Sequence, residues 1–237
     1  AGSYALLVDD DPDFASPEVQ LADLAESRYA IAEGVLEPLT RYCWKVTATN
    51  AFGSVAASNG VFSFRTESEP LPAPWRHCDV GAVERSGLAS FHEGAFTVEG
   101  DGADIWGSAD AFHFVYQPVA GDCEIVARVA SQENTDPWAK AGLMIREGLE
   151  GTSRHAMIAV TPSNGVSMQS RAATNSGSYE AARVGGSAPC WLKLVRLGNV
   201  LRGYASADGA DWVFVWQVRA TMPQEALVGL CVTSHNA

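Results

Sequence analysis

Short stretches in which apolar and polar residues alternate recur along most of this chain, and no other feature narrows its fold as far. They fall at 4–8, 40–50, 61–66, 111–117, 123–129, 139–146, 155–160, 166–171, 191–196, 201–206, 212–216 and 226–232. Successive side chains of a strand point to opposite faces, so each run reads as a strand with one face buried. Ser163-Asn164-Gly165, Leu197-Gly198-Asn199 and Asp208-Gly209 provide turns between them, at about the 8–12-residue spacing of a β-sandwich. Only 17–27 carries a helix-like period, and the expectation is an all-β chain. At 47% hydrophobic residues there is enough apolar surface for packed cores, which excludes a disordered chain.

The charge balance narrows the partners. The formal net charge is −12, and no Lys/Arg-rich run concentrates the positive residues, so a polyanion would be repelled and nucleic acid is not expected. No apolar stretch approaches the roughly 20 residues of a membrane-spanning helix. The chain does not open on a signal peptide, but its start reads as trimmed, so this says little about export. The five cysteines, Cys43, Cys78, Cys123, Cys190 and Cys231, lie far apart without metal-binding spacing. Cys43 and Cys123 alternate with apolar neighbours and read as small buried hydrophobes in preference to members of a disulfide framework, and the odd number leaves at least one thiol unpaired in a monomer.

Glu67-Ser-Glu-Pro-Leu-Pro-Ala-Pro74 breaks the pattern, because proline cannot donate to a strand ladder. It divides the chain into residues 1–67, a linker over 68–74, and residues 75–237. In the first part, Tyr42, Trp44 and Val46 face one way on a strand that turns at Asn50-Ala-Phe-Gly53 and returns through 61–66. The Leu39-Thr40 corner after Pro38, the Tyr/Trp strand and the closing Phe-Arg-Thr66 strand resemble the end of a fibronectin type III domain. That resemblance implies a partial sandwich lacking its first two strands, whose exposed edges invite self-association. Asp9-Asp10-Asp11-Pro12-Asp13 reads as a solvated turn in preference to a calcium loop.

In the second part, "DGADIWGSADAFHFVYQ", "EIVARVASQENTDPWAKAGLMIRE", "RHAMIAVTPSNGVSMQSR" and "WLKLVRLGNVLRGYASADGADW" resemble the concanavalin A-like (LamG-like) jelly roll at the C-terminus of β-xylosidases and in other secreted bacterial proteins. The family runs one strand beyond the "VTSHN" equivalent. The resemblance therefore implies an empty last strand position here and removes any calcium ligand carried on it.

Strand parity sorts candidate site residues. Phe112, Phe114 and Tyr116, together with Leu143, Ile145, Ala156, Ile158, Val160, Leu230 and Val232, are expected to form the core between two sheets. The opposite parity carries His113, Gln117, Lys140, Arg146, His155, Gln169, Arg171 and His235, which would gather on a concave, water-facing sheet. Three readings stay open. The polar groups hold a sugar, with Trp106 or Trp138 stacking at the rim; or His113, His155 and His235 hold zinc with an open water position; or the face is simply solvated. Asp101, Asp104 and Asp110 form a calcium candidate or ordinary turn acids. A paired-carboxylate glycosidase finds only Glu124 and Glu147 on these strands and is disfavoured. Glu180 reads as solvated, and Trp191, Trp212 and Trp216 as core.

The functional expectation is a non-catalytic carbohydrate-binding or adhesion module of a larger exported bacterial protein, secreted or at the cell surface. The alternative is a metal-dependent hydrolase built on the histidines, with Arg146 or Arg171 stabilising an anion.

Overall fold

The computed structural model describes residues 2–32, 34–37, 40–57, 60–66 and 71–236. Pro38 and Leu39 of the expected corner, and Glu67–Pro70 in the proline joint, lie outside them. The described chain is β throughout and separates into two compact units, Ala1–Pro70 and Leu71–Ala237.

The first unit is one antiparallel sheet. β1 (Ser3–Asp9) lies between β2 (Val19–Leu24) and β3 (Arg41–Asn50), and the far edge of β3 is shared by β4 (Gly53–Ala56) and β5 (Phe62–Arg65). Val8, Val19 and Tyr42 form its small buried core. Trp44 stacks on Phe62 with ring centroids 4.8 Å apart, a cross-strand aromatic pair of the kind that stabilises sheets. The Tyr42 hydroxyl is anchored by the Glu37 N–H, which donates to it at 3.0 Å. The helix-like stretch at 17–27 is strand β2 instead. Val19 is buried against Val8 and Tyr42, and pairing with β1 satisfies its backbone, so tertiary context overrides a weak local period.

The second unit is built from β6 (Arg76–Val80), β7 (Leu88–His92), β8 (Ala95–Glu99), β9 (Phe112–Ala120), β10 (Cys123–Val129), β11 (Lys140–Arg146), β12 (His155–Thr161), β13 (Gly165–Arg171), β14 (Tyr179–Val184), β15 (Cys190–Leu197), β16 (Val200–Ser206), β17 (Val213–Arg219) and β18 (Glu225–Thr233). A seven-stranded sheet in the order β14-β13-β12-β11-β18-β9-β6 packs against a four-stranded sheet, β10-β15-β16-β17, and β7 pairs with β8 as a separate hairpin. Leu143, Ile145, Ile158, Val160, Met168, Leu192, Leu194, Leu201 and Val218 fill the space between the sheets. Inward aliphatic residues from two facing sheets make a sandwich-like core.

The large sheet is also buried on its other face. Ile105, carried on the segment between β8 and β9, seals a second cluster of Val80, Phe112, Phe114, Tyr116, Met144, Met157, Ala159 and Cys231. This corrects the expected faces of β9. Phe114 sits opposite Cys231 and Val115 opposite Leu230, while Leu230 pairs with Leu143. The aromatic row therefore shares the outer face with Met144, and His113, Val115 and Gln117 turn toward the inner one. Residues Phe112–Tyr116 are all buried, so alternation within that strand alone cannot say which side is which; the register of its neighbours decides.

Where the four-stranded sheet stops at β10, a cleft of about 1100 Å³ opens toward the β7–β8 hairpin. It is lined by β8, by 125–133 and by Ala141, Leu230 and Val232 from the large sheet. Among the described residues β10 pairs only with β15 and β8 only with β7. Ile158→Ala, which empties the inter-sheet core, is expected to cost about 2–5 kcal/mol in denaturant unfolding. Val126→Thr, on a half-exposed site of β10, should stay within about 0.5 kcal/mol.

Candidate functional site

Three adjacent strands set the charged centre of the large sheet. Arg146 on β11, His155 on β12 and Arg171 on β13 are direct cross-strand partners, so they form one row on the outer face. All three are fully buried, because the segment between β8 and β9 folds over them and brings down Asp110. Arg171 grips that carboxylate with both arms of its guanidinium, at 2.8 and 2.7 Å, and Arg146 adds a third contact at 3.2 Å. The remaining guanidinium donors reach backbone carbonyls of Trp106, Gly107, Gly148, Glu150, Gly151, Ser153 and Ser176. A forked, multiply satisfied arginine pair is the form in which buried charge is tolerated.

His155 sits within this row without joining it. Its Nδ1 is 3.6 Å from Asp110, beyond hydrogen-bond reach, and neither ring nitrogen makes a hydrogen bond of normal geometry among the described residues. Burial, opposed by Asp110 but reinforced by the two guanidiniums, pushes its pKa down to about 4, so the ring is neutral at pH 7.

The other expected site residues separate into different settings. His113, on the inner face, donates through Nδ1 to the Asp79 carboxylate at 2.6 Å and meets His77 at 3.0 Å. His235 lies between Asp104 (3.1 Å) and Asp136 (3.2 Å), and Asp104 also holds the buried Lys140 ammonium. Gln169 is buried and donates to Ser167, which in turn donates to Glu180. Gln117 is half-buried toward the inner side, next to Val228 in register.

The expected water-facing hollow is thus corrected on two counts. His113 and His155 lie on opposite faces of the sheet, and the polar row on the outer face is sealed beneath a covering segment. The three histidines do not share a point. Asp101, Asp104 and Asp110 do not either: Asp101 accepts from the Arg85 N–H and Ser234 hydroxyl, while the other two hold Lys140 and the arginines. Of the rim tryptophans, Trp106 is 41% exposed, and Trp138 is half-buried with Arg183 over its ring at 5.2 Å. Among the described residues the one trio of acids or histidines close enough to share an ion is Asp9, Asp10 and Glu18. There Asp9 caps the turn by accepting from the Asp11 and Ser16 N–H groups.

An aromatic row on the outside of the four-stranded sheet was not anticipated. Phe214 is 47% and Trp216 51% exposed, and their rings lie 6.5 Å apart at 23°. Tyr204, opposite Phe214 in register, adds a third ring at 5.5 Å. Lys193 lies over Tyr204 at 5.1 Å and over Trp212 at 4.1 Å, an arrangement in which a cation is drawn to the ring face. Arg202 and Gln217 hydrogen-bond beside it at 3.3 Å. Trp212 and Trp216 are therefore not core residues. The signal was in β16: Leu201, Gly203 and Ala205 alternate with Arg202 and Tyr204, so Tyr204 and whatever stands beside it must point outward. A register shift in β17 buries Val215 and leaves both Phe214 and Trp216 outside.

No family model matches the chain, and no curated protein matches it. Among solved structures it is similar to a functionally unknown protein from Saccharomyces cerevisiae, at 23% identity and TM-score 0.48 over 68% of this chain and 86% of that one. It is also similar to the GH43 protein BlXynB from Bacillus licheniformis, at 9% identity and TM-score 0.40 over 84% of this chain. The chain covers 48% of the latter's length.

Asp110→Asn strands two buried guanidiniums and is expected to lower stability by about 3–5 kcal/mol in denaturant titration. His155 binds its proton more readily unfolded than folded. Stability is therefore complete above about pH 6.5 and is lost as pH falls toward 4, by about 3 kcal/mol from this group. His155→Leu should flatten that part of the stability–pH curve.

Proposed function

We propose that the chain is a non-catalytic carbohydrate-binding or adhesion module of a larger exported bacterial protein, and that sugar meets it on the outer face of the four-stranded sheet. The observation that carries this reading is the exposed row Tyr204, Phe214 and Trp216, flanked by Lys193, Arg202 and Gln217. The C–H face of a pyranose packs on aromatic rings while its hydroxyls need donors and acceptors at the edge, and this surface offers both. Solvent-exposed aromatic side chains clustered on one face are also not what an inert surface requires.

We also propose that the first unit is a partial fibronectin type III sandwich and the second a concanavalin A-like jelly roll. A fibronectin type III reading of the first unit is supported by the buried Tyr42, whose hydroxyl accepts from the backbone five residues upstream as in a tyrosine corner. A concanavalin A-like reading of the second is supported by its two facing antiparallel sheets with an aliphatic core between them.

The test is retention of the protein on a panel of soluble and insoluble polysaccharides. At least one should bind, and Trp216→Ala and Phe214→Ala should each weaken it about tenfold or more, with little change in melting temperature because neither ring is core. A panel that retains nothing, or variants that bind like the parent chain, would overturn the reading.

A further inference from the structure

His77 and Asp79 alternate along β6, and the register sets Asp79 directly opposite His113 on β9. All three side chains therefore stand on the inner face. The Asp79 carboxylate is fixed by the Gly87 N–H, which donates to both of its oxygens at 3.0 and 3.2 Å. Its Oδ1 lies 2.6 Å from His113 Nδ1, so the His113 proton is held on Nδ1 and Nε2 is left as a lone pair. That lone pair is aimed at His77 Nδ1, 3.0 Å away. Gly87 is needed for this packing, since a Cβ there would come within 2.2 Å of the His113 ring. His113 is 1% exposed, whereas His77 is open to solvent.

We propose that His113 Nε2 and His77 Nδ1 form a two-histidine site for a divalent transition ion of the zinc class, with water filling the open positions. Two imidazole nitrogens that each lie about 2.0–2.1 Å from a tetrahedral zinc are about 3.3 Å apart, so their present separation of 3.0 Å has only a few tenths of an ångström to grow, while the exposed His77 ring turns so that both lone pairs meet beside the N–N line. A carboxylate behind the far nitrogen of a ligating histidine fixes its tautomer and raises its basicity, and Asp79 stands in that place. The ion replaces the hydrogen bond between the rings, lying to one side of the N–N line: His77 shifts its proton from Nδ1 to Nε2, and no proton is lost overall. Imidazole ligands with water suit zinc, copper or nickel rather than calcium. This site shares only His113 with the expected histidine cluster, and it is independent of the aromatic face.

Titration of the intact chain with Zn²⁺, followed by calorimetry and by the imidazole NMR signals, tests it. One equivalent is expected to bind, shifting the His77 and His113 resonances together. Binding should be lost in His77→Ala, a substitution at an exposed side chain that leaves the core packing intact. It should weaken about 10–100-fold in Asp79→Asn and persist in His235→Ala. No saturation at millimolar Zn²⁺, or equal binding by the His77→Ala chain, would overturn the proposal.

Discussion

A single carboxylate out of reach of water organises the second unit. Asp110 is buried between Arg146 and Arg171, and those arginines belong to strands on either side of β12. A charge in that position must be matched by fixed donors, so the segment that carries Asp110 has essentially one way to lie. That segment also delivers Ile105 onto Phe112, Phe114, Met144 and Met157. The large sheet is covered on both faces as a result: by the four-stranded sheet on one side and by an ion-pinned strap on the other. The polar residues that a concave binding face would need are consumed in holding the strap down.

Much of the strand pattern was legible: on β10, β15 and β16 period-two alternation reflects burial directly, while β11 and β12, covered on both faces, announce themselves as short apolar runs. Arg76–Val80 mixes charged and apolar residues without such a rhythm, and Tyr179–Val184 follows a Gly/Ser-rich stretch, so β6 and β14 were hidden. The face assignment failed at β9 for a different reason. Parity within one strand is a relative quantity, and linking it to the next strand needs the pairing register, which local sequence does not contain. Burial of Arg146, His155 and Arg171 was equally invisible. Charged residues at alternating positions normally signal water, and only the descent of Asp110 from a distant segment reverses that inference.

The same register logic redirects attention to the outside of the molecule. Once β16 fixes Tyr204 outward, Phe214 follows from the register, and the register shift in β17 leaves Trp216 exposed as well, so these rings lie near Lys193, Arg202 and Gln217. It is this surface, and no deep pocket, on which the proposed carbohydrate contact rests. His113, His155 and His235 are dispersed among Asp79, Asp104, Asp110 and Asp136 and do not gather at one point.

Central to all of this is the claim that the charged face is sealed while the aromatic face is open, and hydroxyl-radical footprinting of the intact chain reads both at once. Phe214 and Trp216 should be oxidised readily, while Met144 and Met157, intrinsically among the most reactive side chains but buried beneath Ile105 and the Asp110 strap, should stay protected until the protein unfolds. Rapid oxidation of those two methionines in the native protein, with Phe214 and Trp216 protected, would contradict the account.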